Sequence, residues 1–166
     1  MRPPGPAAAT VMLPNCDTTA FDRAPRPLVY FSAMQRVLVV DDEPDIVELL
    51  TFNLRAAGYE VISAKDGLEA LEQARAQRPD LILLDLMLPE LDGISVCEIL
   101  RRTPGTAAIP IIMLTAWSSE LSRVVGLATG ADEYMTKPFK TGAVLARVKA
   151  LLENHTARPA GHPVLG

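Results

Sequence analysis

Cysteine is scarce in this chain: Cys16 and Cys97 are the only two among 166 residues. Two thiols cannot build a disulfide framework, and neither sits in a CxxC pair or near a histidine at ligand spacing. A disulfide-stapled scaffold is excluded, and a reducing cytoplasm is the expected compartment. Long apolar runs are missing as well. The run from Leu81 to Leu84 is stopped by Asp85, far short of the roughly 20 residues that a membrane-spanning helix requires. Nor is there an excess of positive charge. Sixteen Lys and Arg against twenty Asp and Glu leave a net charge of -4, the wrong sign for a protein that grips nucleic acid by its phosphates. What remains is a globular, soluble chain, with 49% hydrophobic and 22% charged residues, enough apolar material for one core. The length allows one domain of ordinary size with residues to spare.

The spare residues lie at the ends. Six of the fourteen prolines fall in the first 27 residues beside the alanine run 7–9, so 1–33 reads as a disordered Pro/Ala-rich extension. A secretory signal needs a continuous apolar stretch of about 7 to 15 residues, and prolines and polar groups interrupt every candidate here. Met34 stands directly before the first strand, which leaves open whether translation starts there. Residues 154–166 carry Gly, Pro and His without periodicity and read as a flexible tail. The expected domain is 34–153, whose 12 basic and 18 acidic residues give it a charge of -6.

Within it, apolar runs alternate with segments of helical period. Residues 36–40 (RVLVV) predict a strand, and Pro44 opens a helix at the first-turn position where its missing N–H costs nothing. Ile46, Val47, Leu50 and Leu54 then recur at helical spacing until Gly58, a natural C-cap. A strand over 59–63, a helix over 67–77 with Leu68, Leu71 and Ala74 inward, and the continuous apolar strand 80–84 (DLILL) follow. A helix over 93–102 with Ile94, Cys97 and Leu100 on one side leads to a strand over 109–114 (IPIIML). Ser119 to Thr129 predicts a fourth helix, 133–135 a fifth strand, and Val144, Leu145, Val148, Leu151 and Leu152 a last helix. Five strands alternating with five helices, none joined by a hairpin-length turn, imply right-handed crossovers and an α/β, doubly wound parallel sheet.

Such folds place their sites beyond the carboxyl ends of the strands. There the chain offers Asp41 and Asp42 after the first strand, Asp85 after the third, Thr115 and Ala116 at the fourth, and Lys137-Pro138 after the fifth. Carboxylates so close raise one another's pKa unless a cation compensates. Mg²⁺ suits such a set, since it takes a few carboxylates, keeps waters and accepts phosphate oxygens. Asp42 and Glu43 could instead simply complement a helix dipole. That explanation fails for Asp85, because a carboxylate directly after four apolar strand residues needs a specific partner.

RVLVVDDEPDIVELL, LILLDLMLPELDG, IPIIMLTA and GADEYMTKPF, in this order and separation, resemble the receiver domain of bacterial two-component response regulators, closest to the OmpR/PhoB type. The resemblance covers the whole of 34–153 and implies a CheY-like (βα)5 fold with strand order 2-1-3-4-5. It makes Asp85 the phosphoacceptor, a carboxylate nucleophile supplied by a sensor histidine kinase or phosphotransfer protein. It implies that Asp42, Asp85 and the backbone carbonyl of Met87 hold Mg²⁺ directly, while Asp41 acts mainly through metal-bound water. Lys137 and the Thr115 hydroxyl would neutralise the phosphoryl oxygens, Ala116 would leave room for them, and a cis Lys137-Pro138 bond would aim the lysine. Thr115 and Tyr134 resemble the family's switch pair, which shifts a pre-existing equilibrium.

The resemblance further implies a symmetric homodimer through the surface of the fourth helix, fifth strand and fifth helix, where Asp132, Glu133, Arg123 and Arg147 fit the charged pattern. Ala143 replaces the acid usual one turn before Arg147, and Gly142 weakens the start of that helix. Met87 and Trp117, both apolar and bulky, flank the route of water to an acyl phosphate, and slow autodephosphorylation is expected. Trp117 also suits a partner-binding anchor. Cys97 is expected to pack within its helix, and His155 and His162 lack ligand partners.

Two other functions compete. A haloacid-dehalogenase-type phosphatase wants a second acid two residues after its nucleophile, where this chain has Met87. A PhoB-type DNA-binding regulator carries a winged-helix domain, and the 13 residues after Glu153 are too few for one. The expectation is a stand-alone receiver, not an enzyme in the multiple-turnover sense, acting on a downstream protein; the alternative is the receiver portion of such a regulator.

Overall fold

The computed structural model describes residues 34–116, 124 and 128–156. The expected N-terminal extension and most of the tail lie outside the described residues, as does most of the helix predicted over 119–129, of which Val124 and Ala128 are described and helical.

Val, Leu, Ile and Met side chains, with polar residues only at the strand ends, make the three central strands. β1 (Arg36–Val40), β3 (Leu81–Asp85) and β4 (Ile111–Thr115) are buried at every position but Arg36, as strands covered on both faces must be. β2 (Glu60–Ala64) and β5 (Glu133–Thr136) form the edges and are only partly buried. All five pair in parallel, in the order β2-β1-β3-β4-β5. This is the doubly wound order expected.

Successive side chains point to opposite faces, so β1 feeds two cores. Leu38 and Val40 pack with α2 (Gly67–Gln77) and α3 (Gly93–Arg102) on one face; Val37 and Val39 pack with α1 (Pro44–Ala56) and α4 (Thr141–Thr156) on the other. Each fully buried leucine in these layers contributes roughly 2 kcal/mol. α1 begins with Pro44 at its first position and gives way to Gly58 at φ +99°, the left-handed stop that glycine permits.

Two expectations need correction. Leu68 is not inward: it is 55% exposed, and α2 buries Gly67, Ala70, Leu71 and Ala74. At about 100° per residue, the stripe centred on those four leaves Leu68 over its edge. β4 begins at Ile111 and not at Ile109, because Pro110 has no N–H to donate; its carbonyl still accepts from Ile82 N–H at 3.0 Å.

Asp85 owes its position to a close approach. A Cβ on Gly93 would stand 2.3 Å from the Asp85 carbonyl oxygen and 2.9 Å from Leu86 Cα, and these are backbone atoms that cannot swing aside. Gly93→Ala is therefore expected to lower unfolding free energy by about 3 kcal/mol, against about 1 kcal/mol for Gly58→Ala, which meets nothing within 4 Å and costs only backbone strain. Urea denaturation of the two variants checks the difference; equal losses would contradict it.

Candidate functional site

Because every strand runs the same way, their carboxyl ends meet on one rim. Asp41 follows β1, Asp85 closes β3, Thr115 closes β4 and Lys137 follows β5. Backbone bonds hold these ends in step: Leu86 N–H donates to Leu114 O at 2.9 Å and Lys137 N–H to Thr115 O at 2.6 Å.

Asp41 is 1% exposed and committed within the site. Its Oδ1 accepts Glu43 N–H at 2.9 Å and its Oδ2 accepts Lys137 Nζ at 2.9 Å. Asp85, 4% exposed, accepts Met87 N–H on Oδ1 at 3.3 Å and lies 3.4 Å from Lys137 Nζ through Oδ2. Asp42 is exposed and makes no side-chain hydrogen bond or ion pair among the described residues. One carboxylate oxygen from each of Asp41, Asp42 and Asp85 lies within 4.8 Å of the others. The ammonium of Lys137 thus bridges two buried acids, and its peptide bond to Pro138 is cis.

Burial pushes the Asp85 carboxyl up from 3.8 to about 6, the Asp41 charge adds to the rise, and Lys137 and the Met87 N–H only partly offset it. Burial alone would lower the Lys137 ammonium, but the Asp41 hydrogen bond and the Asp85 and Asp41 charges outweigh it, so its pKa is raised. The site holds more negative charge than one lysine balances. An all-oxygen donor set with an open, exposed Asp42 is what a hard divalent cation takes, and Asp85, reluctant to ionise without more positive charge, fits that demand.

Thr115 is fully buried and Ala116 is exposed at the end of β4. Met87 is 55% exposed beside the acids, while Trp117 lies outside the described residues. Tyr134 is half-buried against the core layer of α2 and α3. Of the four charges expected on the dimer surface, Asp132 is held within the chain by Arg101 at 2.8 Å, Glu133 pairs with Arg147 at 3.6 Å, and Arg123 lies outside the described residues. One contact escaped the sequence reading. Glu43 caps α1 without a side-chain capping bond and instead lies 3.4 Å from Lys137 Nζ; only the acid's place beside Asp41 and Asp42 signalled it.

The sequence model described as the response regulator receiver domain matches residues 37–149, more than half of the chain. The chain belongs to that family. The alkaline phosphatase synthesis transcriptional regulatory protein PhoP of Bacillus subtilis (strain 168) is 56% identical to this receiver over 118 residues, covering 71% of the chain and 48% of PhoP. The chain therefore spans about half the length of that curated relative. Among solved structures, the Francisella response regulator 1452 receiver domain is 36% identical with a TM-score of 0.69, covering 72% of this chain and 98% of its own. The Vibrio cholerae chemotaxis protein CheY4 is 36% identical with a TM-score of 0.68, covering 71% and 98%.

The raised pKa of Asp85 has a consequence for stability. Between about pH 4 and 6 the folded receiver holds a proton on Asp85 that the unfolded chain has lost, so this group's contribution is full below pH 4 and declines as pH rises to 6. Asp85→Asn is expected to raise the stability of the metal-free protein by about 2 kcal/mol at pH 7.5, a gain that vanishes below pH 4. Urea denaturation in EDTA across this range checks it, and a loss of stability at pH 7.5 would contradict the assignment of strain to Asp85.

Proposed function

We propose that this receiver accepts a phosphoryl group on Asp85 from the phosphohistidine of a sensor histidine kinase or phosphotransfer protein, and that the working domain is 34–153. The observation that carries the reading is the placement of Asp85: buried at a strand end, beside a second buried acid, with an ammonium 3.4 Å away.

The ionised Asp85 oxygen attacks phosphorus as the phosphorus–nitrogen bond breaks, and the departing imidazole nitrogen keeps the electron pair. Lys137 supplies positive charge next to the attacking oxygen, and the Thr115 hydroxyl is the polar group at the neighbouring strand end. Asp42, Asp85 and the Met87 carbonyl, with Asp41 acting indirectly, are the residues for Mg²⁺, which when bound would neutralise charge on the transferred phosphoryl oxygens. The new group adds up to about two negative charges and three acceptor oxygens. Thr115 moving toward them, with Tyr134 turning further inward, alters β5 and the faces beside it, which are the surface offered to a downstream protein or a second copy. The cytoplasm is the compartment where such a kinase output is met; among the described residues no helix is long and apolar enough to cross a membrane.

A second reading is favoured by one observation. The relative matched over 48% of its length is named a transcriptional regulatory protein, so the chain can be the receiver portion of a DNA-binding regulator and not a stand-alone receiver. The two readings share the chemistry at Asp85 and differ in output, and the reading frame downstream of residue 166 separates them.

Phosphotransfer from a panel of autophosphorylated kinases tests the acceptor reading. Label is expected only with Mg²⁺ and only with Asp85 intact; an Asp85→Asn variant that labels equally would refute it. The exposed Met87 gives a further expectation: Met87→Asn, combined with Trp117→Glu, shortens the phosphoprotein lifetime about 10-fold by admitting and orienting water. Radiolabel decay of the purified phosphoprotein measures this, and an unchanged lifetime would contradict it.

A further inference from the structure

Lys137 reaches the acids from an edge strand of only four residues, paired on one side, to β4. Its two apolar residues, Tyr134 and Met135, each face a core layer, so burial alone does not distinguish one register from the next. A slip of one residue would exchange the faces of Tyr134 and Met135 and carry Lys137 along by about 3.3 Å, as far as its own contacts with Asp41 and Asp85 are long. At the entry to β5 the backbone supplies one bond, from Asp132 N–H to Ile111 O at 2.8 Å.

Arg101, in the last turn of α3, occupies that place. A basic residue there ordinarily answers its own helix's carbonyls. Arg101 instead makes its four bonds outside α3: Nη1 donates to Ala107 O at 3.1 Å and Ile109 O at 2.7 Å, Nε to Gly130 O at 2.8 Å, and Nη2 to Asp132 Oδ2 at 2.8 Å. Two of these acceptors precede β4 and two precede β5, so one rigid planar guanidinium spans the entries of both strands and ties them together. Asp132 closes the link by accepting Ile111 N–H at 2.9 Å, the first residue of β4. Gly130 is shaped for the passage: a Cβ there would stand 2.9 Å from Arg101 Cγ. One turn earlier on α3, Cys97 Sγ lies 3.6 Å from Thr129 O, so the same helix holds the residue before.

We propose that Arg101 is a positioning residue for phosphoryl transfer: by clamping the entries of β4 and β5 it sets the register that delivers Lys137 to Asp41 and Asp85. The inference rests on the acceptor reading given above. The clamp and the site lie at opposite ends of β5, with Lys137 N–H bound to Thr115 O at 2.6 Å closing the far end. Asp41 and Asp42 follow β1 and Asp85 closes β3, and none of the three is bonded to Arg101.

That separation makes the test specific. In the full chain, with phosphoramidate as donor, Arg101→Met is expected to lower the maximal phosphorylation rate about 10-fold, while the Mg²⁺ dissociation constant from calorimetry stays within about twofold of wild type. Arg101→Lys, which keeps the charge and loses the planar fork, falls between. In a Lys137→Met background the same Arg101→Met change costs less than about twofold, since the group it positions is gone. Asp132→Asn, which leaves the three carbonyl bonds of Arg101 in place, slows the reaction about threefold and carries the test if Arg101→Met shows no cooperative unfolding. A folded Arg101→Met protein with the wild-type rate, an equal loss in both backgrounds, or an unaffected Asp132→Asn overturns the inference alone. A wild-type chain that takes no phosphoryl group overturns the acceptor reading and this inference with it.

Discussion

Two buried carboxylates that repel each other, Asp41 and Asp85, share one ammonium, and the rest of the receiver is organised around keeping that ammonium in place. Lys137 Nζ lies 2.9 Å from one acid and 3.4 Å from the other. Each acid comes from a central strand whose register is locked by full burial on both faces. The lysine follows β5, the shortest of the five strands and one of the two edges. The molecule therefore places its most constrained charges on its most rigid elements and their compensating charge on an element held at both ends by side-chain and backbone bonds.

The balance struck this way is incomplete. Asp85 is still hard to ionise, with a pKa near 6, and Asp42 stands exposed beside it without a protein partner among the described residues. A site that were purely structural would pair its charges fully. On the proposed acceptor reading, a divalent cation relieves this deficit of positive charge and an incoming phosphoryl group, itself negative, deepens it. Asp41, with both oxygens engaged by Glu43 N–H and Lys137, is the fixed member of the trio, and Asp85 is the member left free to change its bonding.

Much of this was legible in the sequence. The unbroken apolar runs of β1, β3 and β4 announced strands buried on both faces, and their alternation with helical periods announced a parallel sheet, which alone brings Asp41, Asp85, Thr115 and Lys137 to one rim. What escaped were features set by three-dimensional neighbours. Leu68 is apolar yet faces outward, because the stripe of α2 is centred on small residues, Gly67, Ala70 and Ala74, that periodic reading of large side chains underweights. Pro110 sits inside an apolar run, and the strand starts only after it. Arg101 reads as an ordinary helix-end cation; its four acceptors lie 6, 8, 29 and 31 residues away, and no local pattern announces them. Asp132, expected on the dimer surface, is also bound within the chain at the entry of β5, by Arg101 and Ile111 N–H.

Asp85 is held short of positive charge by its burial and by the Asp41 charge. The most direct measurement is the titration of its carboxyl carbon by NMR in the full chain, with and without Mg²⁺. The expected midpoint lies near pH 6 in the metal-free protein and moves to lower pH as MgCl₂ is added. A midpoint at the ordinary aspartate value without metal, or one that Mg²⁺ leaves unmoved, would contradict it.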